Sequence, residues 1–133
     1  MEKVGRVIRY LTYQEIININ NKIIFKTQGP SETPKLINPN SLEYTIEIVK
    51  DNDLFPTLLN KAAKYSFQII KGHVFFDGNK RTGMISAFFF LQLNNCRISQ
   101  SLTDDDIVKI AESVAKGESD YLTLSSWFQS IIE

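Results

Sequence analysis

The stretch Asn79-Lys80-Arg81-Thr82-Gly83-Met84-Ile85-Ser86-Ala87-Phe88-Phe89-Phe90-Leu91-Gln92-Leu93-Asn94 decides how this chain folds. Ile85, Phe88, Phe89, Phe90, Leu91 and Leu93 place apolar groups on nearly every side of it. A helix apolar all round is usually a central, buried one. The segment therefore predicts a helix over 79–94, with the Phe88–Phe90 run as core.

Moving outward, each flank reads as further helix. On the C-terminal side Thr103 or Asp104 can cap a helix whose stripe is Ile107, Ile110, Ala111, Val114 and Ala115. Another follows over 123–132, presenting Leu124, Trp127, Phe128 and Ile131. On the N-terminal side Pro56 suits a first turn, and Leu58, Leu59, Ala62, Ser66, Ile69 and Ile70 line one face up to Gly72. Thr12 and Glu15 have capping-box spacing, and Ile16, Ile19, Ile23 and Ile24 continue a helix over 13–27. Residues 28–39 hold Gly29, Pro30, Pro34 and Pro39 and read as loop, before a short helix over 40–50. The reading is all-α: a compact six-helix bundle around one buried central helix, occupying residues 1–133 as a single domain.

Composition narrows the chemistry. The chain has 133 residues, with 15 Lys plus Arg against 15 Asp plus Glu. That balance provides no global field for general nucleic-acid binding or an anionic membrane. One cysteine, Cys96, precludes an intrachain disulfide and makes a reducing cytoplasm the default compartment. It reads as a small buried residue in the link after the 79–94 helix. One histidine, His73, precludes multi-histidine metal centres. No apolar run reaches the roughly 20 residues that span a bilayer, and residues 1–9 do not read as a signal peptide.

The chemistry is concentrated before the buried helix, in His73-Val74-Phe75-Phe76-Asp77-Gly78-Asn79-Lys80-Arg81-Thr82-Gly83. The histidine follows a helix end. Asp77-Gly78 marks a tight turn, and Asn79 is a good N-cap. Free N–H groups of the next helix, together with Lys80 and Arg81, would form an anion site. A carboxylate beside phosphates commonly holds magnesium. The parts suggest a base, a metal ligand and a phosphate cradle. The same parts also serve as a common turn, a cap and two solvated cations, the plainer reading of the spacing, and spacing alone leaves both open. Phe75 and Phe76 read as core anchors of the loop.

This stretch resembles the His-x-Phe-x-Asp/Glu-Gly-Asn motif of the Fic/Doc superfamily, in the Asp-Gly-Asn-Lys-Arg-Thr form of the Doc (death on curing) branch. Tyr10-Leu11-Thr12-Tyr13-Gln14-Glu15, Asn38-Pro39-Asn40-Ser41-Leu42-Glu43 and residues 102–131 are similar to further family segments. The resemblance implies His73 as general base toward a target hydroxyl and Asp77 as the magnesium ligand. It implies Gly78, Asn79, Lys80 and Arg81 as the phosphate site, and Phe75 as the anchor of the motif loop.

Lys80 bears on the branch. AMP-transferring Fic enzymes carry glycine there, whereas Doc-type members with lysine transfer the γ-phosphate of ATP, with elongation factor Tu as the target class. The resemblance further implies ATP and Mg²⁺ as cofactors, arrest of translation, a cognate antitoxin with a disordered inhibitory tail, and residues 28–39 as a target-guiding flap in which Lys35 could touch a partner. The alternatives are AMP transfer to a protein hydroxyl, or an inactive Fic-fold binding module. Two departures stand out. Gly83 replaces a usual alanine, read as close packing, and Asn20 replaces a frequent histidine, read as peripheral.

Overall fold

A computed structural model describes residues 7–29 and 36–133. Six helices follow one another: α1 (Tyr13–Gln28), α2 (Pro39–Ile48), α3 (Leu58–Lys71), α4 (Asn79–Leu93), α5 (Asp104–Ala115) and α6 (Tyr121–Ile131). Among the described residues the only strand-like pairings are isolated bridges, Leu36 with Phe75 and Ile98 with Ile132. The all-α bundle is the one the sequence predicted.

Local chemistry sets the helix starts. Thr12 and Glu15 form the expected capping box on α1, and Thr103 with Asp106 forms another on α5. α3 begins at Leu58, two residues beyond the Pro56 that was expected in its first turn. Thr57 is its N-cap, reciprocally bonded with Asn60, and leaves Pro56 outside the helix. α6 begins earlier than expected because the Asp120 carboxylate accepts from Thr123 N at 2.8 Å. α2 begins at Pro39, whose missing N–H costs nothing in a first turn.

The encased helix is α3, which packs against α2, α4, α5 and α6. Ala62, Ala63, Tyr65, Ser66 and Ile69 of α3 are all fully buried. α4 is pressed to α3 at Gly83, where a Cβ would stand 2.9 Å from Ile70 Cγ1 and 3.0 Å from the Ser66 carbonyl oxygen. This is the close packing expected of that glycine. Contrary to expectation, α4 is not enclosed. Phe90 and Leu91 are buried, but Phe88 and Phe89 are half-buried and Ile85 is 43% exposed. The neighbouring α1 and α5 flank the helix without closing over it. Cys96 is half-buried against the core rather than fully inside.

Two polar ties complete the core. Tyr65 Oη accepts from Leu11 N at 3.1 Å, and burial raises the pKa of this phenol far above its ordinary value. Lys61 is fully buried on α3. Its ammonium donates to the Val49 carbonyl and to Asn52 Oδ1, both at 2.8 Å, and lies 5.5 Å from the Tyr10 ring centre. The positive charge thus sits at the C-terminal end of α2, where the helix dipole is negative. No helix among the described residues is long and apolar enough to cross a membrane.

Candidate active site

The motif loop runs from the end of α3 to the start of α4, and its backbone is held from two sides. Gly72 caps α3 in a right-handed conformation, so the left-handed residue that ends the helix is His73, at φ 45°. Histidine tolerates this region better than most side chains but still at some strain. Asn38 braces it, donating from Nδ2 to the Gly72 carbonyl at 2.8 Å and to the His73 carbonyl at 3.0 Å. That engagement explains why Asn38, the residue before α2, makes no side-chain cap. Ile37 N and Asn38 N both donate to the Val74 carbonyl.

Beyond His73 the loop turns from the core into the open. Val74 and Phe75 are buried, Phe75 to 1% exposure. Phe76 is 70% exposed and lines the cleft, which corrects the expectation that it anchors the core. Asn79 also departs from its expected role as N-cap. The cap is Gly78, left-handed at φ 79°, and Asn79 is the first helical residue. Its carboxamide is committed to Phe75, accepting from that N–H at 2.9 Å and donating to that carbonyl at 2.8 Å.

The consequence for α4 is a bare N-terminus. No side chain caps it and its first turn holds no acid. The first N–H groups of a helix lack partners within it and favour an anion. Lys80 and Arg81, both exposed, stand in that same turn. Asp77 is also exposed, with Oδ1 accepting from Gly78 N at 2.7 Å and Oδ2 from the Gln28 side chain. His73, Asp77, Gly78, Asn79, Lys80 and Arg81 all border one open cleft of about 540 Å³, which Ile23, Ile70 and Ala115 also line. The structure therefore brings together the residues singled out in the sequence, while Phe75 stands behind them in the core.

Three residues with roles in the site escaped the sequence reading. Asn20 is 2% exposed, not peripheral. Its Nδ2 donates to the Asp77 carbonyl at 2.9 Å and to Thr82 Oγ1 at 3.0 Å. A signal was present, since a polar side chain in register with Ile16 and Ile24 interrupts an apolar stripe, and buried polar groups need partners. Gln28 and Asn38 carried no such signal. The residues proposed as a flap lie partly outside the described residues, Lys35 among them. Gln28 proves to be helical, and Leu36–Asn38 pair with the motif loop.

The donor set bears on what the site could hold. No group of three or more His, Cys, Asp or Glu that could hold a metal exists among the described residues. Asp77 is the one carboxylate bordering this cleft among the described residues, which fits magnesium carried by a nucleotide, since that ion usually combines one or two carboxylates with phosphates and water. A bare helix terminus with two cations fits the phosphates themselves.

The model of the Fic/DOC family matches residues 10–91. The chain belongs to the Fic/DOC family. It is also 31% identical over 68 residues to a protein named Toxin Doc from Mycolicibacterium smegmatis, covering 51% of this chain and 52% of that relative. The chain thus spans about half the length of the relative it matches.

Proposed function

We propose that this protein is a Doc-like toxin that transfers the γ-phosphate of ATP to a threonine or serine hydroxyl of a protein target. Elongation factor Tu is the target class that the Doc resemblance carries, and its modification would block translation in the cytoplasm. The observation that carries the reading is Lys80. It stands in the first turn of α4, beside a left-handed glycine cap, at the position where AMP-transferring relatives have glycine. A lysine there fills the space a close phosphate–backbone approach requires and places a compact point charge on a terminal phosphate.

The roles follow from the placement of each group. His73 takes the proton of the target hydroxyl, whose oxygen attacks the γ-phosphorus, while the bond to the β-bridging oxygen breaks and ADP leaves. Such base assistance is typically worth about 10²–10⁴-fold. Asp77 is the residue to hold Mg²⁺, which when bound neutralises charge on the nucleotide phosphates. The N–H groups of residues 79–81, Gly78, and the side chains of Lys80 and Arg81 cradle the phosphates. Asn79 serves the cradle by fixing Phe75 on both its N–H and carbonyl, which sets the course of the loop. Little covalent chemistry is needed beyond positioning and charge neutralisation.

A cognate antitoxin is the partner proposed for such a toxin. Two troughs with apolar floors of α4 residues and charged margins flank that helix and are suited to an amphipathic peptide segment. One, of about 690 Å³, includes Ile19, Phe88 and Phe89, and the other, of about 540 Å³, includes Ile107 and Val108. Exposed apolar surface of this kind marks interaction sites.

The reaction is tested by incubating the protein with γ-labelled and α-labelled ATP and a bacterial lysate, followed by mass spectrometry of the labelled protein. Gain of one phosphate is expected, whereas gain of AMP would assign nucleotidyl transfer instead. Absence of magnesium and nucleotide binding in calorimetry would favour an inactive binding module. His73→Ala is expected to abolish growth inhibition while the circular-dichroism melt stays cooperative. Retained toxicity in that variant removes His73 as the base.

A further inference from the structure

We infer that Asn20 and Gln28 of α1 are positioning residues for the Asp77 carboxylate, a statement that rests on the phosphotransfer reading above. The two residues lie two i,i+4 steps apart on one ridge of α1, roughly 12 Å along its axis. Helical side chains lean toward the helix N-terminus, so the longer Gln28 reaches back toward the same point that Asn20 addresses directly. Both meet at Asp77. Asn20 holds its main-chain carbonyl, and Gln28 donates to its Oδ2.

Asn20 fixes the turn. Its two amide hydrogens serve the Asp77 carbonyl and Thr82 Oγ1, at either end of the first turn of α4, and Thr82 is itself fully buried. The left-handed Gly78 between them leans on the same amide, since a Cβ there would lie 3.2 Å from Asn20 Nδ2. Gln28 fixes the carboxylate. With Oδ1 taken by Gly78 N and Oδ2 by Gln28, both oxygens have a set direction. A carboxylate offers about four lone-pair sites, so two remain for a cation without dismantling either bond. Partners that orient a metal ligand are typically worth 10–100-fold in metal affinity. Gln28 is exposed, so a loss on its removal is not a packing defect.

The test uses the full chain. Binding of Mn²⁺–ADP is followed by electron paramagnetic resonance, and amide hydrogen exchange is read in the nucleotide-free protein. Gln28→Met is expected to weaken Mn²⁺–ADP binding about 10-fold with an unchanged melting temperature. Asn20→Ala is expected to accelerate exchange of the Gly78 amide about 10-fold relative to amides of α3. If Asn20→Ala fails to fold, the exposed Gln28 variant still decides the matter. A wild-type chain that binds Mn²⁺–ADP while Gln28→Met binds equally well overturns this inference alone. A wild-type chain that binds no Mn²⁺–ADP overturns the phosphotransfer reading, and the inference with it.

Discussion

His73 combines two demands that usually fall on different residues. It ends α3 in a left-handed conformation and it carries the one imidazole of the chain. A non-glycine residue in that region costs roughly 1–2 kcal/mol. The cost is met by Asn38, whose amide secures the carbonyls of Gly72 and His73. His73→Gly should therefore be more stable than His73→Ala by about 1 kcal/mol in urea unfolding, and the proposed base role predicts that both lose activity. Equal stabilities would show that the backbone there is unstrained. The sequence indicated a helix end at Gly72, and the helix does end there. It did not indicate that the positive φ falls one residue later, because that depends on Asn38 reaching across from another element. Asn20 was visible as a polar interruption of a stripe, but its partners lie more than fifty residues away. Local pattern holds no information about such distant partners.

Helices were legible wherever their own side chains define them. The Thr12–Glu15 spacing announced its box, and the stripe of α5 gave its length. α6 was misplaced at its start because Asp120, a one-residue signal, lies outside the apolar pattern. The outer face of α4 shows the limit of periodicity. Ile85, Phe88 and Phe89 prescribe burial without saying whether this chain or another supplies the cover. At the α3–α4 contact the balance is decided by distance. Gly83→Ala would gain up to about 1 kcal/mol of helix propensity. It would also drive a Cβ against Ile70 and the backbone oxygen of Ser66, and overpacking of this kind costs roughly 1–3 kcal/mol. Since backbone cannot turn aside as a side chain can, the net change should be destabilising by about 1 kcal/mol in the unfolding midpoint converted to free energy. A more stable variant would mean that the two helices can part without loss.

Across the whole molecule the equality of 15 cations and 15 anions is a statement about the average, not about the site. The positive potential proposed for phosphate is local, built from one helix terminus and two neighbouring side chains. The same economy places one lysine deep in the core. Among the described lysines, Lys61 is the one buried, and its ammonium is held by Val49 and Asn52. An amine in that position can be acylated only when the bundle opens, so it is a natural clock for opening. In a pulse of amine-reactive reagent Lys61 should remain unmodified while Lys50, on the surface, is consumed. Its slow modification should accelerate with denaturant in step with global unfolding. Labelling of Lys61 at the pace of Lys50 would mean that the α2–α3 end of the bundle breathes independently. Peptide mapping of one residue would thus time the opening of the bundle, with no engineered probe.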